Sequence, residues 1–140
     1  MLKKLLSNQP LASFNDVGLL LLRVIFGGLM LVNHGLGKMD KLLAGGEIKF
    51  ADPIGLGMEL SLQLAVFAEV ICAGLLVVGA FTRFALMPLI FTMLVAVFVV
   101  HWSDAFGDKE GGLLYLIPYL LLFVNGSGKY SVDYQLFKGK

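Results

Sequence analysis

Apolar residues run along this chain in long, nearly unbroken stretches, not at the spacing of half-buried strands or surface helices, and short polar clusters separate them. About 20 such residues in a helix span the roughly 30 Å of hydrocarbon in a bilayer at about 1.5 Å per residue. The pattern predicts four spans, at about 17–37, 59–80, 83–102 and 112–125, with the longest connection over 38–58. Asp52-Pro53, Gly55 and Gly57 bound the second span before it starts, and Gly79 after it ends. Pro88 in the third span is tolerated in a membrane and predicts a kink. The fourth span is short and holds Pro118, so it crosses by thinning the bilayer or anchoring its flanks, the alternative being a re-entrant segment. The expected fold is an all-α, integral membrane four-helix bundle forming one domain over 1–140. Gly45-Gly46 and Asp52-Pro53 make the long connection a loop with one short amphipathic turn, placed to form a lid.

Composition supports the same solvent. Of the 140 residues, 58% are apolar and 15% charged, against about 45–50% and 25% in soluble domains. A net charge of +1 and the lack of a basic stretch interleaved with aromatics exclude nucleic acid as a partner. The single cysteine, Cys72, rules out an internal disulfide or a C-x-x-C pair and is expected to be an inert core thiol. Lys3 and Lys4 precede the first apolar run as in a signal peptide. That run carries Arg23 and ends in His34-Gly35-Leu36-Gly37-Lys38 without a small-residue cleavage site, so it reads as a retained helix.

Lysine and arginine bias orients the bundle with both termini cytoplasmic. The inner segments then total +4, from Lys3, Lys4, Arg83, Lys129, Lys138 and Lys140 against Asp16 and Asp133, and the outer loops total −2. Trp102 and Tyr115 fall at the outer interface and Tyr130 and Tyr134 at the inner one, as aromatic belts prefer. The mixed apolar and basic segment 1–14 is expected to lie along the inner surface.

Ionisable residues inside a span cost about 2.5–3.5 kcal/mol each at the centre unless paired, hydrated or snorkelled, so Arg23, Glu69, His34 and His101 require explanation. Counted from the span boundaries, Arg23 lies about 9 Å and Glu69 about 15 Å above the inner edge. An Arg23–Glu69 ion pair between adjacent helices is the economical arrangement, either fixing helix register or serving a ligand or proton. Eleven residues at 100° each return His34 to the face of Arg23, with Gly27 and Gly28 between them allowing close approach of a helix or a flat ligand. His101 lies at the depth of His34, with Glu59 and Gln63 opening the second span, Glu110 in the last loop and Lys38 one turn above His34. Such a group suits a metal, a proton relay or the oxygens of a quinone-like head group, although interfacial histidines satisfied by water fit as well. No metal-ligand spacing is present.

These residues resemble the DoxX family of small four-helix bacterial membrane proteins. The resemblance rests on Leu22-Arg23 with Gly27-Gly28, His34-Gly35-Leu36-Gly37-Lys38, Glu69, Gly79-Ala80-Phe81-Thr82-Arg83, Glu110, and the run from Gly126 to Asp133. Ser127 replaces a common proline, and Gly37 a common glutamine, which removes an amide from the outer cluster. The resemblance implies a bacterial inner-membrane location. It also implies a quinone-linked or oxidative-stress role, by analogy from family to chain. The positions of the residues themselves then make His34, Arg23 and Glu69 the candidate reacting groups, with His101, Glu110, Lys38, Glu59 and Gly27 around a lipid-soluble ligand. A redox partner protein or a second copy packed on Ala73 and Gly74 is the expected assembly. The competing readings are a non-enzymatic module that binds a lipid or membrane protein and, less favoured for want of a repeat, a small transporter.

Overall fold

The computed structural model describes residues 12–138, and every element in them is helical. The expected surface segment 1–14 falls mainly outside these residues. Helix α1 runs Ala12–Met30, passes through a π-helical turn at Leu31–Gly35 and continues as Leu36–Leu43. Helix α2 is Met58–Val66, a π-helical Phe67–Cys72 and Ala73–Val78; α3 is Thr82–Val95 with a π-helical Ala96–Val100. Helix α4 is Phe106–Asn125, and a short α5 is Val132–Phe137. Among the described residues, three helical stretches are long and apolar enough to cross a membrane, Asn15–Leu43, Met58–Val78 and Thr82–Val100. Helix α4 is 20 residues long but carries Asp108, Lys109 and Glu110 near its start.

Charges delimit the apolar stretches without stopping the helices. Helix α1 continues past Lys38 because Leu36, Met39 and Leu43 keep a helical spacing beside Lys38, Asp40 and Lys41. The long connection accordingly covers only 44–57 and holds no helical turn. Helix α4 begins at Phe106, six residues before the predicted start, and runs through Gly111-Gly112. A Cβ on Gly112 would stand 2.5 Å from Val97 Cγ2, so this glycine lets α4 close on α3. Pro88 and Pro118 both sit inside uninterrupted helices.

The burial pattern is that of a protein with hydrocarbon around it. Phe84 and Val124 are about three-quarters exposed, whereas Arg23, Glu69, Thr82, Ser61 and Ser131 are buried. The core gathers Met30, Leu76, Leu86, Leu89, Tyr119 and Leu122, and Cys72 packs within it. The Tyr119 hydroxyl donates to the Phe26 carbonyl at 3.3 Å, which satisfies a fully buried polar tip. Ala73, expected on a surface for a second copy, is fully buried beneath Gly27 of α1.

The end of the bundle where α1 begins is tied by carbonyl and carboxylate contacts. Helix α2 stops at Gly79, whose φ of +71° permits the left-handed cap that bonds Gly79 N to Leu76 O and Ala80 N to Leu75 O. Arg23 lies against this cap, its Nη1 donating to Val77 O at 3.1 Å and Leu76 O at 3.4 Å and its Nη2 to Tyr130 O at 2.5 Å. Arg83 does the same for α4, reaching Phe123 O and Val124 O. Two guanidinium groups thus meet the negative, unsatisfied ends of two helices.

Asp133 completes the tie. It accepts the backbone N–H groups of Phe81 at 2.7 Å and Thr82 at 2.9 Å, serving as an N-cap for α3 from 51 residues away in sequence. Phe81 itself has a left-handed φ of +47° and supplies no side-chain cap. Replacing Asp133 with alanine is expected to cost about 1–2 kcal/mol, as for lost N-caps, and Asp133→Asn a good part of that, since an amide can accept only one of the two N–H groups. Thermal unfolding in detergent measures the difference.

Candidate functional site

At the other end, which carries the 44–57 loop, the helices part around a cavity of about 640 Å³. Its lining is mainly apolar, with Met30 from α1, Ala68 from α2, Met93 and Val97 from α3 and Gly112 from α4. Among them stand His34, Lys38, Glu69, His101 and Tyr115. Phe50, Pro53 and Ile54 of the loop cover it. All three π-helical segments lie at this level: the first holds His34, the second holds Glu69 and the third ends one residue before His101. Such turns interrupt the regular ladder and re-aim side chains, and they concentrate at functional sites.

The predicted Arg23–Glu69 pair is not formed. Glu69 instead meets Lys38, Oε2 to Nζ at 2.5 Å, with the Glu69 side chain 5% exposed and that of Lys38 25%. Depths taken from assumed membrane edges were misleading, because α1 starts earlier than its apolar stretch. The contacts set Arg23 level with Val77, which places Glu69 about 12 Å farther along α2 at about 1.5 Å per residue. The shared face of Arg23 and His34 fails for a related reason. The π turn at Leu31–Gly35 alters the residue phase, leaving Arg23 buried and His34 exposed.

Gly35 is what brings the two helices together here. A Cβ at this position would fall 2.4 Å from the Glu69 carbonyl oxygen and 2.8 Å from its carbon. With only hydrogen there, α1 packs directly on the α2 backbone, and Lys38 one turn later reaches the carboxylate. The His34 ring stands edge-on to Tyr115 at 5.5 Å, and Tyr115 in turn contacts Phe26 at 5.9 Å and Tyr119 at 6.1 Å. His101 is turned toward Asp104, with Nδ1 2.7 Å from Oδ2.

The cavity therefore gathers four of the sequence-predicted residues, His34, Lys38, Glu69 and His101, and leaves out four. Arg23 caps α2 at the opposite end, and Gly27 packs under Val77 and Ala73. Glu59 is exposed and accepts from Gln63, and Glu110 is exposed on α4. Tyr115 and Met30 were missed. Tyr115 read as a belt aromatic, and its place beside His34 follows from the packing of α4 on α1.

The loop roof is fastened by Asp52, which accepts Gly57 N at 2.9 Å, Leu56 N at 2.8 Å and Ser61 Oγ at 2.9 Å. The hydrogen bond from Gly57, followed by those from Ser61 and Leu56, pushes its carboxyl below the usual carboxylate range against a smaller desolvation effect. Because the folded value is depressed, this stabilisation is complete above the unfolded pKa of about 3.9 and is lost as pH falls through the lower folded value. The amide resonances of Leu56 and Gly57 are expected to keep their bonded shifts through the ordinary carboxylate range and to move only below it.

An all-helical chain with lipid-facing apolar surfaces and a polar group sunk in an apolar cavity defines a small helical membrane protein. The DoxX family profile matches residues 18–102, and the chain belongs to that family. A Haemophilus influenzae protein described as uncharacterized is 29% identical over 79 residues, which cover 54% of this chain and 52% of the relative. The chain thus matches about half the length of that curated relative. No solved structure matches it.

Proposed function

We propose that the cavity holds the head group of a lipid-soluble, quinone-like molecule and that the protein serves a quinone-linked redox process in the bacterial inner membrane. The observation that carries this reading is the juxtaposition of the Lys38–Glu69 pair, His34, Tyr115 and His101 with a mainly apolar cavity of about 640 Å³. Ligand sites have this composition, a hydrophobic lining with a few convergent polar groups. Lys38 Nζ and the Tyr115 hydroxyl are donors suited to the carbonyl oxygens of such a head, and the His34 imidazole offers a further donor or acceptor. Electrons would come from a partner protein or a small reductant.

The membrane topology belongs to the same reading. Lys129 meets Asp16 at 3.3 Å and Tyr130 meets Arg23, so the start of α1 and the end of the chain share one end of the bundle. That favours an even number of crossings, with α4 as the fourth, and charge bias puts both termini in the cytoplasm.

The test is equilibrium binding of a benzoquinone to the protein in nanodiscs. Saturable binding is expected, and Tyr115→Phe should weaken it about 2- to 10-fold, the worth of one neutral hydrogen bond. Arg23→Lys, at the far end, should leave it unchanged. Binding that is linear in probe, or indifferent to Tyr115, would contradict the assignment.

A further inference from the structure

We infer that the occupant of this cavity is a tailed molecule that enters sideways from the bilayer between α2 and α3, with its tail left lying across Phe67 and Phe91. The inference rests on the head-group site proposed above and adds the class of ligand and its route.

Helices α2 and α3 pack against one another from their junction at Gly79 as far as Phe67–Cys72. Beyond it they part, and Met58–Val66 is not among the segments packed closely on Ala96–Val100. At the same level α1 stays on α2 and α4 stays on α3, and His34 of α1 meets Tyr115 of α4, so the seam left unbridged is that between α2 and α3. Leu64 and Phe67 of α2 and Phe91 of α3 line the cavity and are also about half exposed on the outer surface. A side chain that does both marks the rim of an opening, and Ile54 and Leu56 of the loop do so too, which gives the cavity two candidate mouths, the α2–α3 seam and the loop end. The seam residues Leu64, Phe67 and Phe91 are apolar and face the direction where hydrocarbon lies, so a water-soluble ligand gains nothing by passing them.

The loop end offers the competing route, and it is the one fastened by hydrogen bonds. Asp52 fastens the turn through Leu56 N, Gly57 N and Ser61 Oγ, and Phe50, Pro53 and Ile54 cover the cavity there. The donors proposed for the head group, Lys38 and His34 on α1 and Tyr115 on α4, sit on helices away from the seam, while Glu69 reaches Lys38 from α2. A molecule entering head-first between α2 and α3 therefore brings its polar end to these donors and leaves its apolar tail in lipid. Phe67 and Phe91 then set which tails pass.

The experiment places a single cysteine at Phe67, Phe91 or Leu56 in a Cys72→Ala background and labels it with a bulky maleimide in nanodiscs. Two probes are compared, a long-tailed benzoquinone and the same benzoquinone without a tail. Labels at Phe67 and Phe91 are expected to slow association of the tailed probe by about tenfold or more and to affect the tail-less probe far less, while the Leu56 label, on a residue that also lines the cavity, does not discriminate between the two. A Leu56 label that blocks both probes, with Phe67 and Phe91 labels inert, would overturn the sideways route and leave the head-group site standing. Labels at the rim that change the oligomeric state without touching binding would show a second copy seated on the seam, and would also overturn it. If neither probe binds the unlabelled protein, the head-group site itself fails.

Discussion

Gly35→Ala is expected to destabilise the protein by about 3 kcal/mol, the upper end for a methyl forced into a packed interface. The added Cβ would lie 2.4 Å from a backbone oxygen of α2, and a main-chain carbonyl inside a helix has no rotamer by which to give way. The helices must separate, and the Lys38–Glu69 contact then opens with them. Gly28→Ala provides the control on the same helix, because nothing lies within 4 Å of its Cβ position, so it should be neutral or slightly stabilising. Thermal unfolding in detergent compares the two, and benzoquinone binding should fall with Gly35→Ala alone.

Breaking the buried ion pair from either side should give unequal losses. Lys38→Met leaves the Glu69 carboxylate, at 5% exposure, without its cation, and stranding a buried charge costs about 3–5 kcal/mol. Glu69→Gln strands a lysine that is 25% exposed and can swing its ammonium toward water. The second variant is therefore expected to lose less than half as much as the first. The double variant should recover most of the Lys38→Met loss, since two groups of similar shape replace a pair whose desolvation offsets much of its attraction. A double-mutant cycle on unfolding free energy gives the coupling directly. Additive losses would mean that the two side chains do not depend on one another.

The difference between sequence and structure has specific physical sources. Where the chain crosses apolar solvent was legible, because long runs around Leu20, Val70 and Leu94 have no other use. Helix ends were not, since Lys38 and Asp108 end an apolar stretch while the backbone hydrogen bonds continue. Pairing Arg23 with Glu69 required a common reference height, and the membrane edge supplied the wrong one. The helix–helix register, fixed by Gly35 on Glu69 and Gly27 on Ala73, supplies the right one. With Gly35 against the Glu69 backbone, Lys38 one turn later is the cation that reaches the carboxylate. Nothing in the composition signalled the three π-helical turns or the parting of α2 from α3, and these place His34, Glu69 and His101 around one cavity. Arg23 was correctly singled out as a buried charge needing partners, and it found them in helix-end carbonyls.

Photolysis of a short-tailed azido-benzoquinone on the protein in bilayer nanodiscs, followed by peptide mapping, tests the head-group site most directly. Adducts are predicted on cavity residues such as Met30, Ala68, Met93 and Tyr115, and an excess of unmodified benzoquinone should suppress them. Adducts spread over lipid-facing positions such as Phe84 and Val124, with no suppression by the competitor, would contradict it.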